Sequence, residues 1–411
     1  MDSHLDRALP AASSWGILGV TVTNSLATGV VWNGLGFITS REYHYSATET
    51  YSLFIASGTL YAIAALSCGK CLAKLHGRLS PRAALMVLCA IQAMVAPLVY
   101  VGDSSAGVIV TVLVTSVTGA CLWPIVESYV AAGRNPHATR RAVGKWCMAW
   151  MIAVALSLVL MGPLQRSDGW INPRLALLAL APLSLLAIGC ARFLPVHPGH
   201  HEHSTEPPPA HYVAQLRSAR VLLPASYLLI GALNPLMPYV LDRLEMNPTY
   251  QTPLTALWLT TRVIVAGVML ELSHWRGRWS TLLLGALFLL VGFALVVTAP
   301  SVGAIAAGLV LFGAGHGVIY YAAIYYALRV GSASIDAGAT HEALIGLGYV
   351  IGPAAGLAGY LIGGGGWTVA VVCGLLAMAA IPALLPWIGH RKSQRILNSL
   401  ARESESVRAE P

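Results

Sequence analysis

The chain has 411 residues, of which 56% are hydrophobic and only 10% charged, and its net charge is +8. Soluble domains carry about 25% charged residues, so this composition excludes an ordinary soluble protein and is typical of a chain that crosses a membrane many times. The positive residues lie in short loops between apolar segments rather than in a basic stripe with aromatic residues. That distribution indicates membrane topology and excludes nucleic-acid binding as its cause.

Twelve apolar segments follow one another along the chain, each long enough for a helix to cross the hydrocarbon core of a bilayer. They predict an all-α polytopic membrane protein with 12 transmembrane helices in two six-helix halves. The predicted segments are Trp15–Ile38, Tyr51–Cys68, Ala83–Val101, Gly107–Ala132, Val143–Leu164, Leu175–Leu194, Val221–Leu241, Leu254–Leu272, Trp279–Thr298, Val302–Leu328, Ala343–Ile362 and Trp367–Ile388.

The loop charges predict the orientation of these segments. Twenty of the 25 Lys and Arg residues lie on one side of the alternation, whereas only Arg41, Arg166, Arg174 and Arg243 lie on the other. Cytoplasmic loops of membrane proteins carry an excess of Lys and Arg. We therefore expect both termini in the cytoplasm of a bacterium, with the chain as a multi-pass protein of the inner membrane.

One long polar stretch at residues 195–220 divides the predicted segments into two sets of six. Two interpretations of its histidines stay open, since a His-rich tract can bind metal or belong to a solvated linker. The histidines are His197, His200, His201, His203 and His211. The predicted organisation is a cytoplasmic N-terminus at 1–14, a first half at 15–194, the linker at 195–220, a second half at 221–389 and a cytoplasmic tail at 390–411.

A permanent cation, Arg262, lies inside the eighth apolar segment. A charged side chain at mid-membrane costs about 2.5–3.5 kcal/mol or more, and it usually faces a bundle interior or a water-filled cavity. Arg262 is therefore our first candidate for the wall of a substrate cavity. The alternative is a structural arginine that pairs with a helix end or reaches outward to the interface.

Polar and aromatic residues inside the segments supply further cavity candidates. A polar helix face is unfavourable in lipid and should face protein or water, although helix–helix hydrogen bonding would also explain it. A proline-broken helix often lines a transporter binding site, and a packed kink is the alternative. Tyrosines give an amphipathic wall or belong to an interfacial belt. The candidates are Asn24, Thr28 and Trp32 in the first segment, Trp123 in the fourth, Asn234 beside Pro235 in the seventh, and His316, Tyr320 and Tyr321 in the tenth.

Three titratable residues within or beside apolar segments are candidates for proton coupling: Glu127, His341 and Glu342. A carboxyl group in a poorly hydrated site can take up a proton near neutral pH. Ordinary roles remain open, because Glu127 could pair with Arg134 or Arg140, and Glu342 could favour the N-terminus of its helix. We expect no metal site and no cofactor, since the sequence contains no phosphate-binding loop or zinc-protease motif.

Two six-helix halves, a long central loop and basic loops after segments two and eight resemble the major facilitator superfamily. The family's loop after the second helix reads roughly G-x-L-A-D-R-x-G-R. The residues that match this pattern are Leu72, Ala73, Gly77 and Arg78. Lys74 stands where the family has an acidic residue, and Lys70 stands where it has the first glycine. The resemblance implies a central cavity lined by helices 1, 4, 7 and 10, and a rocking motion of the halves controlled by the loop at Lys74, Gly77 and Arg78.

These observations together predict a secondary active transporter that moves a small organic solute by alternating access, with protons as the candidate coupling ion. We expect it to work as a monomer in the lipid bilayer, without nucleic acid and without enzymatic activity. The alternative is a non-transporting membrane protein on the same fold that acts in assembly or sensing, which the altered loop at Lys74 leaves open.

Overall fold

A computed structural model of the chain describes residues 12–74, 78–101, 105–134, 136–165, 172–199, 209–330 and 335–409. All regular secondary structure among these residues is helical. We group the helices of the first half into spans 1 to 6. Span 1 is Ser14–Gly29, a π-helical turn Val30–Gly34 and Leu35–Glu42; span 2 is Ala47–Lys74; span 3 is Pro81–Val95 with a 3-10 turn Ala96–Tyr100; span 4 is Ala106–Ala131; span 5 is Pro136–Met161 with a 3-10 turn Gly162–Gln165; span 6 is Arg174–Leu178 and Leu180–Ala191.

The second half repeats the count with six more spans. Span 7 is Ala210–Leu233 and Met237–Asp242; span 8 is Pro248–Glu271; span 9 is Trp279–Thr298; span 10 is Val302–Val330; span 11 is Ile335–Gly363; span 12 is Gly365–Ala409. Within the described ranges, eleven helices are long and apolar enough to cross a membrane. Span 1, whose pieces are shorter, completes the predicted twelve.

Two helices extend well beyond the segments that hydropathy predicts. The first helix of span 7 begins at Ala210 rather than Val221, and span 12 continues to Ala409 rather than ending at Ile388. Hydropathy detects only the part of a helix that lies in hydrocarbon. A helix can continue into water because its backbone hydrogen bonds stay within the segment. The linker between the halves is therefore shorter than residues 195–220.

The irregular turns of spans 1 and 7 lie against each other. Span 7 breaks after Leu233, as the Asn234-Pro235 pair predicts, and Asn234 Nδ2 donates to the carbonyl oxygen of Trp32 at 2.8 Å and to Asn33 Oδ1 at 3.1 Å. Trp32 and Asn33 lie in the π-helical turn. Backbone groups freed from a helix at membrane depth need partners from neighbouring helices. The side chain of Asn234 supplies such a partner across the two halves.

The two halves pack through spans 2, 4 and 5 of the first and spans 8 and 11 of the second. Span 11 lies against spans 2 and 4, and span 8 lies against span 5. Gly346 shows how close the contact is, because a Cβ atom there would lie 2.8 Å from Ala62 Cα. Small residues of this kind let membrane helices approach each other. The interface between the halves is therefore closely packed where spans 2 and 11 meet.

Side-chain hydrogen bonds also join the halves at the end of the bundle that carries Arg41. We call this group the Arg41 seam. Arg41 Nη2 donates to Asp242 Oδ1 and to Gln251 Oε1, each at 3.0 Å, and the hydroxyl groups of Thr50 and Tyr239 are 2.8 Å apart. The seam links spans 1 and 2 with spans 7 and 8. It joins the two halves at this end of the interface through polar side chains.

Candidate functional site

A cavity lies between the halves. Its empty volume is about 670 Å³, which includes the part that is open to solvent. Both halves contribute to its wall, as an alternating-access protein requires. Spans 1, 4, 7 and 10 line it as the resemblance implies, and spans 2, 5, 8 and 11 line it as well. Of the residues singled out from the sequence, the wall contains Thr28, Trp32, Trp123, Arg262, Tyr320 and Glu342.

Arg262 lies in this wall with only 3% of its surface exposed. Its guanidinium carbon lies 4.1 Å from the ring centre of Trp150, 5.2 Å from that of Tyr320 and 5.8 Å from that of Trp258. Nε and Nη2 are buried and donate no hydrogen bond. No acidic side chain within the described ranges forms an ion pair with Arg262. The geometry therefore places it in the cavity wall and not in a structural pair.

Aromatic residues make up half of the remaining wall. Trp32 and Tyr349 stack with their ring centres 4.3 Å apart, and the edge of Tyr61 meets Trp32 at 5.2 Å. Tyr227 meets Tyr349 edge-on at 5.2 Å. Such rings offer flat apolar surfaces with polar hydroxyl groups at their margins. The wall is thus suited to a flat organic molecule, and Arg262 provides its permanent positive charge.

Beside the cavity, the three titratable candidates come together. One ligand-type atom from each of Glu127, His341 and Glu342 lies within 4.8 Å of the other two. Tyr61 donates its hydroxyl hydrogen to Glu342 Oε2. Gly338 allows the close approach of spans 4 and 11, because a Cβ atom there would lie 2.5 Å from Glu127 Oε2. We call these three residues the Glu127 cluster, and it spans the two halves.

The Glu127 cluster contains donors that would suit a metal ion as well as a proton. Two carboxylates and an imidazole are ligand types of several divalent metals. Buried Glu127 Oε1 and His341 Nε2 have no hydrogen-bond partner. The sequence predicted no metal site, and it gave no reason to bring together residues more than 200 positions apart. Close carboxyl groups without a cation between them are also a recurring arrangement for holding a proton.

The ordinary roles considered for Glu127 and Glu342 differ from what the structure describes. Arg134 donates to the carbonyl oxygens of Val130 and Ala12, at 3.0 and 2.9 Å, and not to Glu127. The side chain of Arg140 lies outside the described residues. Glu342 lies in the eighth position of span 11 rather than in its first turn, so the helix N-terminus is not its partner.

Four of the cavity candidates lie outside the wall. Asn24 donates to Gln92 Oε1 at 2.8 Å and joins spans 1 and 3. This contact is the helix–helix hydrogen bonding that the sequence analysis gave as the alternative for the polar face of the first segment. Asn234 binds the π-helical turn as described above. His316 is fully buried beneath Tyr227, with neither ring nitrogen hydrogen-bonded. Tyr321 packs against Trp275, with ring centres 5.9 Å apart.

The loop after span 2 and the linker histidines are only partly described. Lys74 ends span 2 and is exposed, as is Arg78, whereas Gly77 lies outside the described residues. His200, His201 and His203 also lie outside them. His211 lies in the first turn of span 7, where its ring meets Tyr212 at 4.7 Å. His211 thus belongs to a helix and not to a flexible linker.

Three wall residues, Trp258, Tyr349 and Trp150, were not predicted from the sequence, although helical periodicity indicates the first two. Trp258 lies four positions before Arg262 on the same helix, and residues four apart share a face. Tyr349 lies seven positions after Glu342, again on one face. Trp150 gave no such signal, because its partner Arg262 is on another helix. A search of the helical face around each buried charge would have found the first two.

Comparison with known proteins agrees with this architecture. The family model described as Major Facilitator Superfamily matches residues 17–334. No curated protein sequence matches the chain.

Solved structures resemble the fold at low sequence identity. The crystal structure of the human organic anion transporter MFSD10 (TETRAN) covers 90% of this chain and 97% of its own, with TM-score 0.61 and 15% identity. The nucleoside transporter NupG covers 91% and 98%, with TM-score 0.63 and 11% identity. A bacterial homolog of the human lysosomal transporter Spinster, in an inward-facing and unoccupied conformation, covers 91% and 95%, with TM-score 0.62 and 14% identity. At these identities the likeness establishes the fold alone.

Proposed function

The chain belongs to the major facilitator superfamily and is a membrane transporter, and we propose that it moves a small organic solute by alternating access. The observation that carries this proposal is the central cavity, whose wall is shared between spans 1, 2, 4 and 5 of one half and spans 7, 8, 10 and 11 of the other. A site built from both halves is exposed to opposite sides in turn when one half rocks against the other.

The Arg41 seam supports this motion. Its hydrogen bonds join side chains at one end of the interface, and they can break without disturbing the packing inside either half. The ion pair between Arg41 and Asp242, whose side chains are 23% and 50% exposed, is worth about 0–1 kcal/mol. A free-energy difference of this size between the closed and open seam is small enough for solute binding to overcome. A ligand shifts such an equilibrium by as much as its affinities for the two states differ.

We propose that the coupling ion is the proton and that the Glu127 cluster carries it. Glu127 comes from span 4 of the first half, whereas His341 and Glu342 come from span 11 of the second. Adding or removing one proton there changes the charge held between the halves, and so changes how favourably they pack. Glu342 also lines the cavity, so that the proton site and the solute site share a residue.

Solute flux into proteoliposomes tests the transport function. Solutes would first be selected by their effect on the thermal unfolding of the purified protein, since a ligand that binds only the folded state raises its stability. We expect saturable uptake of at least one selected solute. Thr28→Trp would fill the cavity wall and should stop uptake. Thr298→Trp, at an exposed position of span 9, is the matched control and should leave it intact.

A selected solute that binds but never crosses the bilayer would contradict transport and favour the alternative role in assembly or sensing.

We further propose that the protein lies in the inner membrane of a bacterium with both termini in the cytoplasm, and that it works as a monomer. Reporter fusions after Arg395 should report the cytoplasm and fusions at Ser301 the outside, because the basic loops are retained inside.

A further inference from the structure

We infer that the transported solute is an organic monocarboxylate with a flat, largely apolar body, and that Arg262 binds its carboxylate. This inference rests on the proposed transport function. It concerns the chemistry of the solute, whereas the function concerns only whether a solute crosses the membrane.

The first step is that Arg262 lacks a counter-ion. A buried charge without a partner is strongly unfavourable. The same free-energy cost appears when one member of a buried ion pair is removed. Only 3% of the surface of Arg262 is exposed, and two of its three guanidinium nitrogens, Nε and Nη2, donate no hydrogen bond. The described part of the chain supplies no acid for it. The missing partner is therefore best supplied by a ligand that enters the cavity.

The second step concerns the direction from which this ligand can bind. Trp150, Tyr320 and Trp258 surround the guanidinium group at 4.1, 5.2 and 5.8 Å. Cation–π contacts compensate part of the charge without using any N–H group. Nε and Nη2 have no hydrogen-bond partner in the described part of the chain, and the fork of a guanidinium group matches two oxygens of a planar carboxylate.

The third step limits the ligand to one negative charge. Arg262 is the only Lys or Arg among the residues that line the cavity in the described part of the chain. Glu342 lines the same cavity, and a second anionic group would meet its carboxyl group. Dicarboxylates and phosphate monoesters, which carry more than one charge near neutral pH, should therefore bind poorly.

The last step concerns the body of the ligand. The stacked pair of Trp32 and Tyr349, with Tyr61 and Tyr227 edge-on beside it, forms a wall of aromatic rings. Small-molecule sites of this kind are mostly apolar, with a few polar groups that fix orientation. A flat ring beside the carboxylate would cover these aromatic rings with apolar contact.

The test uses the purified full-length protein and three matched probes: indole-3-acetate, its neutral amide indole-3-acetamide, and the dianion phthalate. Thermal unfolding is recorded at increasing probe concentration. We expect indole-3-acetate to raise the unfolding temperature, and the amide and phthalate to have little effect. Arg262→Lys should weaken binding of the acid about ten- to a hundredfold, as loss of charge-assisted hydrogen bonds implies.

Arg243→Lys is the matched control, since Arg243 donates to the carbonyl oxygens of Val297 and Ala299 away from the cavity. It should leave the affinity for indole-3-acetate unchanged. The inference is overturned if the acid gives no shift, if the amide stabilises the protein as strongly as the acid, or if Arg262→Lys binds the acid like the unaltered protein.

A second variant keeps the test decisive if Arg262→Lys folds poorly. Arg262→Met removes the uncompensated cation, and we expect it to raise the unfolding temperature of the ligand-free protein while abolishing the shift with indole-3-acetate. A lower unfolding temperature would show that Arg262 braces the fold, which contradicts the inference. Flux separates the two proposals: if indole-3-acetate binds but does not cross the bilayer, the carboxylate-binding role of Arg262 stands and the transport function is contradicted.

Discussion

Two arginines lie between the halves of the molecule, and their surroundings differ. Arg41 at the end of the interface donates through Nη2 to Asp242 and Gln251. Arg262 in the cavity wall is more deeply buried, and three aromatic rings lie against its guanidinium group. The partly exposed Arg41 thus has an acidic partner, whereas the buried Arg262, which needs a partner more, has none in the described part of the chain.

This difference separates a contact that holds the structure from one that awaits a ligand. In the Arg41 seam the halves supply both members of each polar pair, so binding changes nothing there directly. In the cavity the protein supplies one member and leaves the other to the solute. The Glu127 cluster extends the same contrast, because Glu127 Oε1 and His341 Nε2 have no hydrogen-bond partner in the described part of the chain.

The largest expected effect concerns the Glu127 cluster. Glu127→Gln should keep solute binding and exchange across the bilayer but abolish accumulation driven by a pH gradient, because the amide keeps the shape and cannot cycle a proton. Uptake into proteoliposomes under a pH gradient measures accumulation, and counterflow of solute measures exchange. Glu49→Gln, at the exposed start of span 2 where the carboxylate accepts from Ser46, is the matched control. Normal pH-driven accumulation in Glu127→Gln would remove Glu127 from the coupling mechanism.

A smaller effect is expected between the seam and the cavity, at Asn234. Asn234→Ala removes two hydrogen bonds to the π-helical turn and leaves the carbonyl oxygen of Trp32 without that donor. Unsatisfied buried groups cost about 1–3 kcal/mol. Thermal unfolding should therefore show a clear loss of stability. An unchanged unfolding temperature would mean that the two turns do not depend on each other.

A change in the aromatic surroundings of Arg262 should act on binding. Trp150→Leu removes the closest ring from the guanidinium group, and exposed to partly buried cation–π contacts are worth about 0.5–2 kcal/mol. We expect a matching loss of affinity for indole-3-acetate, measured by the same thermal titration. Trp367→Leu, at an exposed ring of span 12, should bind like the unaltered protein. Equal losses in both variants would point to a general loss of packing.

The smallest effect is expected in the Arg41 seam. Arg41→Gln removes an ion pair whose side chains are 23% and 50% exposed, and pairs of this kind contribute about 0–1 kcal/mol. Unfolding should change within that range, and the affinity for indole-3-acetate should stay the same. A large loss of affinity would mean that the seam and the cavity are not separate, and the contrast between the two arginines would fail.

The sequence by itself determined the number of helices and the break at Asn234-Pro235. These follow from apolar length and from proline chemistry, which are properties of a local stretch of chain. It also marked Arg262, because a cation inside an apolar segment needs a polar surrounding wherever the segment packs. The family resemblance, carried by the helix count and the loops, is confirmed by the match over residues 17–334.

Only the tertiary structure decided which helix faces meet the cavity. Asn24 and Thr28 lie one turn apart in span 1, yet Asn24 binds Gln92 and Thr28 lines the cavity. Only packing brings Trp150 to Arg262, and Glu127 to His341, from distant parts of the chain. Helical periodicity determines which residues share a face, but the rotation of each helix depends on its neighbours, and no local pattern encodes those neighbours.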